Sequence, residues 1–291
     1  MDDYKIIVEQ EHQTVMAHYE VPQRPQEGYQ SEAQLEKAFI QQLVAQGYEY
    51  VKVKDEDGLL RNLRRQIELL NDVTLSDREW QRLMPMISNE QMTIEDKTEM
   101  LQGKGYILNL TMDNGLTKNI KLWDKTNVYN NRLQVINQYE VVNGAYKNRY
   151  DVTILVNGLP MVHIELKRRG VDIKEAFNQI DRYLRDSFWA GRAMFDFVQI
   201  FVISNGTETK YYSNTTRYAK EQEAAKGPRK GKTDGNTFEF TSYWTDEENT
   251  LLTDIRDFTT TFFAKHTILN ILTKYCVFNV DKQLLVMRPS R

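Results

Sequence analysis

The chain has 291 residues, 41% hydrophobic and 27% charged, with 14 Gly and 6 Pro, an ordinary globular composition able to bury a sizeable core as one large domain or two small ones. No run approaches the roughly 18 consecutive apolar residues of a membrane span, and Met1-Asp2-Asp3 has no apolar stretch behind a basic start, so no secretory leader and a cytoplasmic chain are expected. A single cysteine, Cys276, excludes an internal disulfide, four scattered histidines (His12, His18, His163, His266) give no zinc spacing, no Gly-x-Ser-x-Gly elbow is present, and a net charge of −3 argues against a protein that captures duplex DNA unaided.

Residues 1–30 are polar and interrupted by Pro22 and Pro25, and an irregular arm is expected there. Ser31 stands where it can cap a helix in which Leu35, Ala38, Phe39, Leu43 and Val44 recur at helical spacing to about Ala45, with Gly47 as its stop. Residues 48–53 alternate as a strand does, and helices are predicted over 59–70, 77–87 and 94–101. Asp113-Asn114-Gly115 divides 106–112 from 116–122, a hairpin signal. A strand over 133–142 precedes the two clearest strands, 150–156 and 161–167, joined through Asn157-Gly158-Leu159-Pro160. A helix over 173–186 follows, with Asp172 at its N-cap and Glu175 three residues on, a capping-box pattern with Asp in place of Ser or Thr. Residues 197–204 read as a buried strand that turns at Asn205-Gly206 into 209–212. From 217 to 232 the chain becomes basic and Gly/Pro-containing, an exposed loop; 238–244 is expected as a last strand, and helices over 249–263 and 266–275 close the chain. This order predicts an α/β fold with a mixed β-sheet flanked by helices.

Side chains on a strand alternate between its faces. Val152, Ile154 and Val156 share one face of the first clear strand, and Val162, Ile164 and Leu166 share one face of the second. A short turn pairs the strands, so the two apolar faces pack on one core and Asp151, Glu165 and Lys167 point the other way, onto one surface. A three-residue loop, 157–159, sets Asp151 opposite Glu165, and a slip of one residue would flip a whole face.

Two carboxylates with a lysine beside them suit Mg²⁺, which takes hard oxygen ligands, commonly one or two carboxylates, with water and phosphate oxygens completing its octahedron. On a phosphodiester such a metal polarises phosphorus and lowers the pKa of its bound water, while Lys167 can orient or deprotonate that water or balance charge in the transition state. A cross-strand salt bridge worth about 0.2–1 kcal/mol explains the same trio, and spacing alone does not separate the two. Gln179 and Tyr183, four residues apart on one helix face, lie at the edge of a core stripe made by Ile173, Ala176, Phe177, Ile180 and Leu184; alone, such a pair is ordinary boundary packing.

Taken together, Asp151, Glu165-x-Lys167 and Gln179-x-x-x-Tyr183 resemble the PD-(D/E)xK nuclease core, in the variant shared with RecB-like nucleases. The longer strings Arg149-Tyr150-Asp151-Val152-Thr153-Ile154-Leu155-Val156-Asn157-Gly158-Leu159-Pro160, Ile164-Glu165-Leu166-Lys167-Arg168-Arg169-Gly170 and Glu175-Ala176-Phe177-Asn178-Gln179-Ile180-x-Arg182-Tyr183 resemble the N-terminal nuclease domain of type I restriction R subunits (HsdR) of the IC class. Ser31-Glu32-Ala33-x-Leu35-Glu36 and Val202-Ile203-Ser204-Asn205-Gly206-Thr207 agree, and the resemblance runs over nearly the whole chain. Tyr150 stands before the first carboxylate, where the broad superfamily often has proline.

The resemblance implies a restriction-endonuclease-like core in which Asp151 and Glu165 bind Mg²⁺, Lys167 assists hydrolysis, and Gln179 and Tyr183 support DNA placement or site geometry. Glu32 or Glu36 of the first helix is a further candidate near the metal, each equally well a solvated face residue. It also implies an endonuclease domain over 1–265 and a helical linker over 266–291 leading to an ATP-driven helicase motor, with double-stranded DNA, methyltransferase and specificity subunits as partners. ATP belongs to that motor alone. Gly227-Pro228-Arg229-Lys230-Gly231-Lys232-Thr233 has three residues between its glycines instead of four, follows no strand and opens no helix, and is rejected as a phosphate loop.

Residues 217–232 hold six basic side chains against two acidic ones, a local +4 that leaves −7 for the rest of a chain totalling −3. Arg182, Lys220, Arg229, Lys230 and Lys232 are the candidates for DNA or motor contact, with a solvated loop as the plain alternative. The charge balance favours a domain fed DNA by its motor. A docking module with a structural trio, and a stand-alone RecB-like repair nuclease, are the competing readings.

Overall fold

The computed structural model describes residues 4–8, 16–23, 30–143, 146–188, 190–214 and 237–286. The chain opens on an antiparallel pair, β1 (Tyr4–Val8) and β2 (Met16–Tyr19), where an irregular arm was expected. Helix α1 (Glu32–Ala45) starts at a complete capping box, the Ser31 side chain accepting from Gln34 N–H and the Gln34 side chain reaching back. Gly47, at φ 91°, turns the chain out of the helix into the short strand β3 (Glu49–Tyr50), much less than the expected 48–53. Helices α2 (Glu56–Asn71), α3 (Asp77–Ile87) and α4 (Ile94–Gln102) follow, capped by Asp55, Ser76 and Thr93. The hairpin β4 (Ile107–Thr111) and β5 (Thr117–Lys121) forms about Asp113-Asn114-Gly115 as a separate two-stranded sheet.

Strands β6 (Leu133–Asn143), β7 (Tyr146–Val156) and β8 (Leu159–Leu166) form an antiparallel meander, and α5 (Lys174–Asp186) carries the chain to β9 (Ile200–Ser204), parallel to β8. Strand β10 (Thr209–Ser213) returns antiparallel, and β3 pairs parallel to β6 at the other edge, giving a six-stranded mixed sheet in the order β10-β9-β8-β7-β6-β3. A connection between parallel neighbours must cross a face of the sheet. Helix α5 makes that crossing, packs on β8 and β9, and helps leave all eight residues of β8 buried.

Four local expectations are corrected. Asp172 does not close a capping box: α5 begins one residue later, with Ile173 at its N-cap, and Asp172 accepts from Lys174 N–H at 2.9 Å instead. Residues 237–240 form a 3-10 turn and only Ser242 bridges Tyr211, so the aromatic-rich 238–244 run is not a strand; its rings serve packing, not a ladder. Asp254 caps α6 (Ile255–Phe262), so the first closing helix starts well after 249. Helix α7 (Lys265–Asn270) passes through a π-turn (Ile271–Tyr275) into a hairpin of β11 (Cys276–Phe278) and β12 (Leu284–Val286), where a wholly helical linker was expected. One hydrophobic core runs from Tyr19 to Leu284.

Candidate functional site

The β7–β8 hairpin carries the trio. Asn157 and Gly158 turn it, both with positive φ (49° and 84°), the pattern of a type I′ turn, and pair Val156 with Leu159 and Leu155 with Pro160. The turn therefore has two residues, not the expected three. The register nevertheless ends where alternation put it, because Met161 is an extra residue between the Leu155–Pro160 and Ile154–Val162 pairs. Beyond this bulge Thr153 pairs with His163 and Val152 with Ile164, so Asp151 and Glu165 are the next opposed positions. Gly158 fits because it lies against α2: a Cβ there would stand 2.7 Å from Leu63 Cα.

The face holding the trio is not an open surface. Glu165 is fully buried, Asp151 and Lys167 partly so, and α5 closes over them. Asp151 Oδ2 accepts from the Leu166 backbone N–H at 3.0 Å, and Lys167 Nζ lies 3.3 Å from Glu165 Oε1. Burial, reinforced by the charge of Glu165, raises Asp151 to about 8 against the opposing Leu166 N–H and Lys167. Burial likewise raises Glu165 to about 7, opposed by Lys167, a hydrogen bond with Asp151, and Arg182. Two desolvated carboxylates with one lysine are short of positive charge.

The polar atoms tell the same story. Glu165 Oε2 is buried without a hydrogen-bond partner. Two opposed, desolvated carboxylates with a single lysine beside them fit a hard divalent cation with two protein ligands and the remaining positions given to water and phosphate. Among the described residues no group of three or more His, Cys, Asp and Glu side chains converges to form a fuller protein cage.

Gln179 and Tyr183 join this site. Tyr183 is almost completely buried, where an edge position was expected, and Leu184, expected in the core stripe, is only partly buried. The Tyr183 hydroxyl accepts from Gln179 Nε2 at 2.5 Å and donates to the Arg149 carbonyl at 2.9 Å. The pair thus ties α5 to β7 two residues before Asp151. Tyr150 O–H and Asn148 Nδ2 both bond the Ser187 hydroxyl at the end of α5, at 2.8 and 2.9 Å, a second tie. Arg182 is exposed, its guanidinium 5.6 Å from the Tyr183 ring centroid.

The first helix divides its two candidates. Glu36 accepts from Asn137 Nδ2 at 2.5 Å and from Gln138 Nε2, and its charge helps raise Asp151; Glu32 accepts from the Arg168 backbone N–H at 3.4 Å. Gln138 sits level with Asp151 on β6 and holds a left-handed φ of 53° that nothing in the sequence signals. His163 and Thr153 were also missed, although alternation places His163 on the Glu165 face; their side chains meet at 3.2 Å. Lys220, Arg229, Lys230 and Lys232 lie outside the described residues.

A mixed sheet whose central hairpin brings a carboxylate pair and a lysine under a crossover helix is a restriction-endonuclease-like α/β core. Residues 29–220 match the family model described as "Type I restriction enzyme R protein N terminus". The chain is 43% identical over 291 residues to the type I restriction enzyme EcoprrI endonuclease subunit of Escherichia coli, covering 99% of this chain and 88% of that relative. It is 37% identical over 268 residues to the SsaAORF53P endonuclease subunit of Staphylococcus saprophyticus, covering 90% of this chain and 26% of that relative. A putative type I endonuclease subunit of Methanocaldococcus jannaschii, MjaIXP, is 34% identical over 106 residues, covering 34% of this chain and 10% of its own. The chain belongs to the family of type I restriction enzyme R protein N-terminal regions. It spans most of the E. coli relative and about a quarter of the staphylococcal one. Among the described residues no helix is long and apolar enough to cross a membrane.

Proposed function

We propose that this chain is a Mg²⁺-dependent endonuclease domain of a type I restriction enzyme, hydrolysing phosphodiester bonds of double-stranded DNA. The observation that carries this reading is the buried Asp151–Glu165 pair, both carboxylates raised by desolvation with the single lysine Lys167 at 3.3 Å from Glu165. A pair kept only as a salt bridge gains nothing from a second buried carboxylate. A pair kept for a dication requires one.

Asp151 and Glu165 would hold the metal, which when bound supplies a Lewis acid to the phosphate and a more acidic water. Lys167, already within 3.3 Å of Glu165 Oε1, orients or deprotonates the attacking water or neutralises charge on the phosphoryl oxygens. Gln179 and Tyr183 hold α5 against the strand of Asp151, keeping the two carboxylates opposed. Glu36 adds negative charge toward Asp151 from the first helix.

Residues 1–265 form the endonuclease unit in this reading. Residues 266–291, although their buried side chains share its core, lead toward an ATP-driven helicase motor in the full-length subunit. In this reading the complex includes methyltransferase and specificity subunits, and cutting occurs away from the recognition site. The net charge of −3 suits a cutter whose DNA is delivered by that motor, with Arg182, Lys220, Arg229, Lys230 and Lys232 as candidate DNA or motor contacts in a cytoplasmic complex.

Glu165→Ala and Lys167→Ala subunits, reassembled into the complete enzyme with Mg²⁺ and ATP, are expected to translocate normally and lose plasmid cleavage by at least about 100-fold, the scale of lost transition-state electrostatics. Cleavage retained by either variant overturns the assignment and leaves the docking-module reading.

A further inference from the structure

Within the site as proposed above, one side chain has no role in the reading given so far. His163 is fully buried two residues before Glu165 on the same face of β8. Its Nδ1 lies 3.2 Å from Thr153 Oγ1, and the Val152 backbone is a competing acceptor for the ring. Its Nε2 lies 3.5 Å from Glu165 Oε2, and both of these atoms lack a hydrogen-bond partner. The rings of Tyr150, Tyr183, Phe188 and Phe201 surround the imidazole edge-on, with centroids 5.7, 6.1, 5.5 and 6.4 Å away, and offer its Nε2 no acceptor. Two orphaned polar atoms therefore face each other in an apolar shell, and buried polar atoms are very rarely left so.

We infer that His163 is a positioning residue for Glu165: Thr153 donates its hydroxyl proton to Nδ1, which fixes the tautomer carrying hydrogen on Nε2, and Nε2–H donates to Glu165 Oε2. Thr153 and His163 are paired across β7 and β8, so the backbone register that opposes Asp151 to Glu165 also builds this relay. The relay occupies one oxygen of Glu165 from behind and turns the other toward Lys167 and the metal position. Carboxylates that ligate metals are commonly held by such outer hydrogen bonds, and removing one typically weakens metal binding by about 10–100-fold. A hydrophobic filler in the His163 position would pack equally well against the four rings and give Glu165 nothing.

The inference rests on the metal reading of Asp151 and Glu165, and calorimetric titration of the full chain with Mn²⁺ alone separates the two. Glu165→Gln is the reference for lost binding. His163→Gln, whose amide nitrogen reproduces the position of Nε2, is expected to bind Mn²⁺ within about threefold of wild type, and His163→Leu about tenfold or more weaker, at matched circular dichroism. Thr153→Val keeps the ring but removes the hydroxyl, and is expected to weaken binding by several-fold even if His163→Leu fails to fold. In the Mg²⁺-bound chain, ¹⁵N-resolved spectra of the His163 ring, assigned with His163→Gln, are expected to show hydrogen on Nε2. Wild-type affinity in both His163→Leu and Thr153→Val, or hydrogen on Nδ1 in place of Nε2, overturns the inference. Wild type and Glu165→Gln that both fail to bind Mn²⁺ would overturn the metal reading itself.

Discussion

Glu165→Gln separates a metal site from a structural ion pair without any activity measurement. The carboxylate is fully buried, and burial raises it from 4.5 to about 7 despite Lys167 beside it. At about 1.4 kcal/mol per pH unit that displacement corresponds to roughly 3 kcal/mol against the ionised form, and interior relaxation and water penetration bring the expected effect to about 1–3 kcal/mol. The folded state binds the proton more tightly than the unfolded one. Its contribution is thus fully present below pH 4.5 and lost as pH rises through about 7. Glutamine keeps the shape and removes the charge. In EDTA at pH 8.5 the variant should be more stable than wild type by about 1–3 kcal/mol, roughly 2–6 °C in a chain of this size, and the gain should vanish at pH 5. Added Mg²⁺ should raise the midpoint of wild type and leave Glu165→Gln unchanged. Scanning calorimetry at pH 5, 7 and 8.5, with and without metal, reads all of this. A Glu165→Gln protein less stable than wild type at pH 8.5 in EDTA would refute the reasoning, because the Lys167 pairing would then outweigh desolvation.

Two further expectations test the packing that holds the site. Gly158→Ala meets the Leu63 backbone at 2.7 Å with φ 84°, so it should cost about 3 kcal/mol or more in urea unfolding; Gly170→Ala, with a similar φ of 85° and nothing within 4 Å, should cost only about 1 kcal/mol. Lys97 is fully buried, donating to the Ala193 carbonyl at 2.8 Å and lying 3.3 Å from Asp196, whose carboxyl is raised to about 6 by burial against the pull of Lys97. Lys97→Met strands that carboxylate and should destabilise by about 3 kcal/mol at pH 8, less at pH 5 where Asp196 takes up a proton, as followed by thermal melts across that range.

Much of the site could be read along the chain because its information is local. Alternation through Val152, Ile154, Val162 and Ile164 needs only the period of a strand, and it placed Asp151 beside Glu165. Ser31 with Gln34 is likewise a device contained in four residues. What escaped depends on partners distant in sequence. Glu165 reads as a surface carboxylate until α5 is known to cross over β8. Tyr183 and Leu184 exchange their expected exposure because the tyrosine hydroxyl finds the Arg149 carbonyl, a partner 34 residues away. The 238–244 run has the aromatic and threonine content of a strand, yet only Ser242 meets β10, through Tyr211. Left-handed Gln138 is imposed by the neighbourhood of β6, where Lys54 Nζ bonds the Asn137 carbonyl and Glu140 N–H reaches the Lys54 carbonyl.

The extra residue at Met161 allows the tip of the hairpin and its base to keep different registers. At the tip, two residues suffice to reverse the chain; at the base, the proposed site requires one carboxylate against another. Between them the bulge works as a vernier. A residue lost at the tip can be offset by loss of the bulge, leaving Glu165 opposite Asp151, so length variation at the tip is compatible with an unchanged site. From Val162 to Glu165 there is no such slack: one residue removed there brings Leu166 level with Asp151 and replaces the second carboxylate with a hydrocarbon. Tolerance to insertion and deletion should therefore change abruptly within the span of a few residues, permissive on one side of Met161 and absent on the other.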